Sequence, residues 1–377
     1  MKFINTYQHH LQNPGISVEQ YVQRKQIKLA QETRCAKKIY LDTKFWLLLR
    51  DARLGRPATV DVHNLLGMLE TLVLQKKALC PLSVDIFAEV FKQSDPSTLR
   101  ATVRLIDDLS MGVSIIELVQ RLKLEVFHFI RETTKGQGAV HALDDLVWTK
   151  TPYVMGFVTP VNSNLNLEID TAIQKGFIDQ MWLVTLTDWL DQLGNDVGEG
   201  RKGWFSGDIA EQLNEGKFSH THEYLSFKQL FLNELAGILD LHKPMFAELW
   251  AHIYESDTGK TITSEEAAQA DAGRVMANAI YNAFRLDKIK AEFASFRVSA
   301  GLHAAVRWDP KRKYKTNDLH DIHHAVAAIP YCDFFLTEHS LRHLVGDKNL
   351  ALSSFFKCKT ISDASEAVSA LSHLATA

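Results

Sequence analysis

Cysteine is scarce in this chain. The 377 residues hold four, Cys35, Cys80, Cys332 and Cys358, with no short spacing between any two. That argues against a disulfide framework or a zinc knuckle and predicts a reduced, cytoplasmic protein. Glycine and proline are also sparse, at 19 and 9, so few breaks interrupt the helical periods and a helix-rich fold is expected. The opening residues lack an apolar signal-type segment, and residues 45–49 (FWLLL) are too few to span a bilayer. An excess of basic charge is missing too: 42 Lys and Arg stand against 45 Asp and Glu. No global field advertises nucleic acid, so a polyanion would have to be met by a local patch.

What the chain does have is a set of carboxylates at structurally meaningful places. In residues 316–339, Leu319, Ile322, Val326 and Ile329 fall at i, i+3, i+7 and i+10 and make the apolar stripe of a short helix. Asp318 and Asp321, three apart, leave that helix near its start and on one side. Pro330 stops it, and residues 334–337 then read as a short buried strand followed by Glu338. Upstream, residues 37–43 (KKIYLDT) form a charged lead-in to an apolar run with Asp42 at its end. Beyond the carboxyl end of a strand is where open parallel sheets place their ligands. Residues 82–91 have Ser83 as N-cap and Ile86, Phe87 and Val90 on the buried side, so Glu89 projects from the second turn of a helix.

The ordered set of strand-Asp42-Thr43, Ser83 with Glu89, Asp321 followed by Ala325 and Ala328, and strand-Thr337-Glu338 resembles the PIN domain. That family consists of metal-dependent nucleases, mostly ribonucleases, with a Rossmann-like sheet. The resemblance covers about residues 37–95 and 314–365. It implies an α/β fold, a Rossmann-like parallel sheet interrupted by a large, mostly α-helical insertion. The expected division is an N-terminal helical arm (1–36), a first core part (37–131), the insertion (132–307) and a second core part (308–377). An insertion of that size is suited to covering the site, choosing substrates, or holding a second protomer or a regulatory protein. Asp42, Glu89 and Asp321 are the expected metal ligands, with Asp318 and Glu338 as further members. Many PIN sequences place Asp after the Thr, so Glu338 is a departure.

Carboxylates gathered in one cleft raise one another's pKa, and a hard divalent cation relieves the repulsion. Oxygen-only ligands suit Mg²⁺ or Mn²⁺, which polarise a phosphoryl oxygen and acidify an attacking water. With the resemblance, this implies cleavage of phosphodiester bonds in RNA, or less readily in DNA, with single-stranded RNA as the expected partner. Lys311, Arg312, Lys313 and Lys315, following Arg307 and interleaved with Trp308 and Tyr314, directly precede the acidic helix and are candidates for substrate binding. Arg50 and Arg53 are weaker candidates.

Each residue also has a plainer reading. Asp42 and Asp318 suit helix N-caps, and Glu89 alone suits a solvated helix position. Asp333 competes with Glu338 for the fourth place, but it precedes its strand and belongs at the opposite edge. His320 and His324, at i, i+4, have zinc-ligand spacing without a third partner, and His320-Asp321 mimics the doublet of HD-type phosphohydrolases acting on nucleotides. A PIN-like fold without activity, used for RNA or protein contact, is the other alternative. Gly198, Gly200 and Gly203 match G-x-G-x-x-G but lack the preceding strand that gives those glycines a dinucleotide role.

Overall fold

The computed structural model describes residues 3–136, 138, 140–161, 164–193, 207–219 and 224–376. Gly198, Gly200 and Gly203 lie outside the described residues.

The arm consists of α1 (Tyr7–Leu11) and α2 (Val18–Thr33). A reciprocal cap starts α2: Ser17 accepts from the Gln20 N–H at 3.2 Å and Gln20 accepts from the Ser17 N–H at 3.3 Å. Then come β1 (Lys37–Leu41), α3 (Thr43–Arg53), α4 (Val60–Leu74), β2 (Ala78–Leu79), α5 (Val84–Val90), α6 (Pro96–Ser110) and β3 (Val113–Ile115). Pro96 opens α6 where its missing N–H costs nothing, and Asp95 accepts from the Thr98 N–H at 2.7 Å.

The middle of the chain carries α7 (Leu118–Lys135), α8 (Leu143–Leu146), β4 (Trp148–Lys150), α9 (Leu167–Met181), α10 (Leu186–Leu193) and α11 (Gly207–Ser219). It continues through α12 (Phe227–Leu241), α13 (Lys243–Thr258), α14 (Ser264–Gln269), α15 (Ala272–Arg285) and α16 (Ala294–Trp308). The last part holds α17 (Asp318–Ala328), β5 (Phe334–Leu336), α18 (His339–Val345), β6 (Lys359–Ile361) and α19 (Ala364–Thr376). Among the described residues no helix is long and apolar enough to cross a membrane.

The protein is mostly helical around a small four-stranded parallel sheet in the order β2-β1-β5-β6. β1 pairs with β5 through Ile39–Phe334, Tyr40–Phe335 and Leu41–Leu336. This register sets the carboxyl ends of the two strands side by side, and the Asp42 N–H donates to the Leu336 carbonyl at 2.9 Å. Asp42 and Glu338 therefore leave the same edge of the sheet.

Residues 113–116 read as a third strand from sequence, yet β3 pairs antiparallel with β4 in a separate two-stranded ribbon. It meets the chain after β2 at a parallel bridge between Leu82 and Ser114. Pro81, with no N–H to donate, cuts β2 short at that point. The segment 178–193, helical in period throughout, is also split between α9 and α10. Thr185 and Asp188 cap each other there, at 3.1 and 3.0 Å, and Asp107 of α6 accepts the Leu186 and Thr187 N–H groups at 3.0 and 2.9 Å.

Among the described residues two main hydrophobic cores hold the molecule, beside a small alanine cluster between α13, α14 and α15. The larger surrounds the sheet and takes in Ile39, Trp46, Leu69, Leu105 and Phe335, with Leu186 of α10 and Ala210 of α11 joining from the middle of the chain. The second is helical, with Val126 of α7, Leu235 of α12, Phe246 of α13 and Phe284 of α15. α16 serves both: Val298 and Leu302 face the first, Phe296 and Ala300 the second.

Candidate carboxylate site

Beyond the carboxyl edge of the parallel sheet lies a cleft of about 360 Å³. Asp42, Glu89, Asp321 and Glu338 all line it, each from a different element. Asp42 follows β1 and caps α3, accepting from the Phe45 N–H at 3.2 Å. Its capping role and its place in the cleft coincide, and the cap fixes the side chain. Burial raises its pKa, with the Glu338 charge adding and His324 opposing.

Glu89 projects from α5, whose Ser83 cap accepts from the Ile86 N–H at 3.3 Å. It accepts from the Thr43 hydroxyl and faces His324 Nε2 at 3.0 Å. Burial alone would raise the Glu89 pKa, but the His324 bond and charge outweigh it and hold the group below its usual value. Asp321, on the first turn of α17, is pushed up to about 7 by burial and by the charges of Glu338, Asp318 and Asp42, against the pull of His324. Glu338 is exposed at the start of α18 and makes no capping bond there.

His324 was legible only as half of a zinc pair. It lies on the cleft side of α17, three residues after Asp321, and is 2% exposed. Its Nδ1 meets the Tyr40 hydroxyl at 2.8 Å, which in turn meets Ser83 Oγ at 2.7 Å. Both ring nitrogens are therefore occupied, and the zinc-pair reading falls. Burial works against its charge, yet the bond to Glu89 and the fields of Glu89, Asp85 and Asp42 raise its pKa to about 9. The imidazolium is the cleft's internal counter-charge. His320 instead meets Lys92, at 3.4 Å.

Asp318 is not a lining residue. It sits one residue inside the helix, after Asn317, so the N-cap reading is also corrected. Its carboxylate accepts from the Lys315 N–H at 3.0 Å and lies 3.7 Å from Arg312, holding the preceding loop. Asp333 occupies the opposite edge of the sheet, bound to the Lys37 ammonium at 2.7 Å and the Lys38 N–H at 2.9 Å.

The basic loop runs directly into the helix that carries Asp321. Lys311, Lys313 and Lys315 are exposed, whereas Arg312 leans on Asp318. α11 clamps this loop. Asn214 bonds both backbone groups of Tyr314, at 2.8 and 2.9 Å, and the buried Lys217 ammonium donates to the carbonyls of Val306, Asp309 and Arg312. Lys217 thereby caps the carboxyl end of α16. Tyr314, expected to be available for stacking on bases, is buried against His303.

Arg50 and Arg53 are not brought to the cleft. Arg50 is buried and bonds Asp51, Gln93 and Thr102, while Arg53 pairs with Asp108 at 2.6 Å. They face a second depression between α3 and α6. The basic residue that does line the acidic cleft is Lys44, which carries no motif signal.

The donor set is all carboxylate oxygen, and burial, with the neighbouring acids adding to it, raises Asp42 and Asp321; in kind the set suits a hard divalent cation. As the side chains stand, no three metal-ligating groups among the described residues are gathered closely enough to hold an ion. Glu89 in particular is turned to His324 and Thr43. Comparison with protein-family models, with curated proteins and with solved structures gave no significant match, so the reading of this site rests on its own geometry.

Proposed function

We propose that the protein is a PIN-like nuclease that cleaves single-stranded RNA with Mg²⁺ or Mn²⁺. One observation carries the reading: four carboxylates, far apart in sequence, line a single cleft at the carboxyl edge of a parallel sheet. Asp42, Glu89 and Asp321 would hold the ion, with Glu338 beside them. When bound, the ion supplies charge stabilisation at the phosphoryl oxygen and a more acidic attacking water. The chain's own residues do the rest. The α3 cap fixes Asp42, Glu89 would join the ion by turning from His324 and Thr43, and Lys311, Lys313 and Lys315 offer ammonium groups to backbone phosphates.

The test uses Asp42→Asn and Asp321→Asn. Asparagine keeps the α3 cap at position 42, so the fold should survive. Each variant is expected to lose Mn²⁺-dependent cleavage of single-stranded RNA by at least about a hundredfold, with circular dichroism unchanged. Wild-type protein that shows no metal-dependent cleavage, or variants that cut as well as wild type, would refute the proposal.

The dispersed carboxylates favour one other reading, an RNA-binding module without activity. It predicts RNA binding that neither Mn²⁺ nor the two substitutions alter.

A further inference from the structure

The cleft is not wholly acidic. On the α3 side its wall is formed by Lys44, Leu47, Leu48 and Asp51, spaced i, i+3, i+4 and i+7 and therefore on one face of that helix. Lys44 is exposed and makes no ion pair among the described residues. Leu48 leans partly on the main core. Leu47 belongs to none of the hydrophobic clusters among the described residues, although it is half-buried in the cleft wall. Packing of the protein's own core therefore does not account for Leu47. An apolar surface beside the Lys44 ammonium, next to acids that would hold a cation, suits a ligand that is anionic at one end and apolar and flat at the other.

We infer that α3 forms a nucleotide subsite in which Leu47 and Leu48 receive an unpaired base and Lys44 holds the adjoining phosphate. The inference rests on the nuclease reading and names its substrate more closely. At about 360 Å³ the cleft is at the small end of ligand sites, of the order of one nucleotide. A base still paired in a duplex keeps its faces covered by neighbours and cannot reach the leucines. A base in a single strand can be turned out against them. Leucine contact covers the base face without reading its edge, so the subsite selects single strands and tolerates any sequence. Lys44 adds a point charge, which selects phosphate without fixing the base.

The experiment measures fluorescence anisotropy of two labelled single-stranded RNAs, one intact and one with abasic ribonucleotides throughout, beside cleavage of the intact RNA in Mn²⁺. Wild-type protein is expected to bind the intact RNA about tenfold more tightly than the abasic one, the low end of a base contact's worth. Leu47→Ala should erase most of that preference by weakening the intact RNA alone. Lys44→Ala should weaken both RNAs by the same factor and lower the salt dependence of log Kd by about one phosphate contact, with Lys44→Arg restoring it. A purely structural role for either residue would not produce those two separate signatures.

An intact-to-abasic ratio unchanged in Leu47→Ala overturns the inference, and with cleavage present the nuclease reading still stands. Ratios that behave as expected without any cleavage uphold the subsite and overturn the nuclease. Failure of the wild-type protein to bind either RNA overturns the subsite outright.

Discussion

His303 has an environment that should make the protein sensitive to acid. Its ring packs beside that of Tyr314, with centroids 5.8 Å apart, and the Tyr314 hydroxyl lies 3.1 Å from Nδ1 and donates to the His303 carbonyl at 3.2 Å. Burial lowers the imidazole pKa to about 4, with the charges of His323 and Arg307 adding to it. An unfolded chain takes up this proton near the ordinary histidine value of about 6.5. The folded chain refuses it until about pH 4. The unfolded state thus binds more protons between those limits, and stability falls as pH drops through them. Urea titrations at stepped pH should show His303→Gln losing less stability than wild type across that window, by of order 2–3 kcal/mol. Parallel curves for the two proteins would sink the argument. The same residue scale shows what was readable beforehand. Asp42, Glu89, Asp321 and Glu338 announce themselves through strand ends and helix starts. His324 and Tyr40 come from elements distant in sequence, and nothing local marks their pairing, whereas His303 and Tyr314 lie on one helix and the loop just after it and meet only once that loop turns back.

Between elements, a close approach of α15 to α13 depends on one missing methyl group. Gly273 begins α15 against the start of α13, and a Cβ placed there would stand 2.3 Å from the Lys243 carbonyl oxygen. That oxygen is backbone and cannot swing aside. Gly273→Ala should force the helices apart and cost about 1–3 kcal/mol, the usual range for overpacking. Gly237, exposed in α12, would meet nothing within 4 Å, so Gly237→Ala should be neutral or stabilise by up to about 1 kcal/mol through helix propensity. Equal effects of the two substitutions on the urea midpoint would contradict this account. As letters the two glycines are alike; only packing separates them. The helices themselves were largely legible, because caps such as Ser17 and Ser83 and the apolar periods are local signals. Sheet membership was less so. Val113–Ile115 looks like any buried strand, and its antiparallel partner is Trp148–Lys150, inside a segment that reads as helical.

At the scale of the molecule, α16 couples the two cores, with Phe296 and Ala300 in one and Val298 and Leu302 in the other. Glu125 of α7 tightens the same junction. It is buried, accepts from the Ser295 N–H at 2.9 and 3.1 Å, and receives the Tyr331 hydroxyl from the turn between α17 and β5. Part of residues 132–307 thus packs into the core around the sheet, and the boundary expected at 307 falls within the last turn of α16. Shared helices make unfolding cooperative, because neither core can open without exposing apolar surface of the other. Phe296, fully buried, is the sharpest probe of this coupling. Phe296→Ala should cost about 3–5 kcal/mol. In calorimetry it should shift one transition to lower temperature as a whole. If instead a low-temperature transition splits off while the remainder keeps the wild-type midpoint, the helical layer unfolds by itself and α16 does not join the cores.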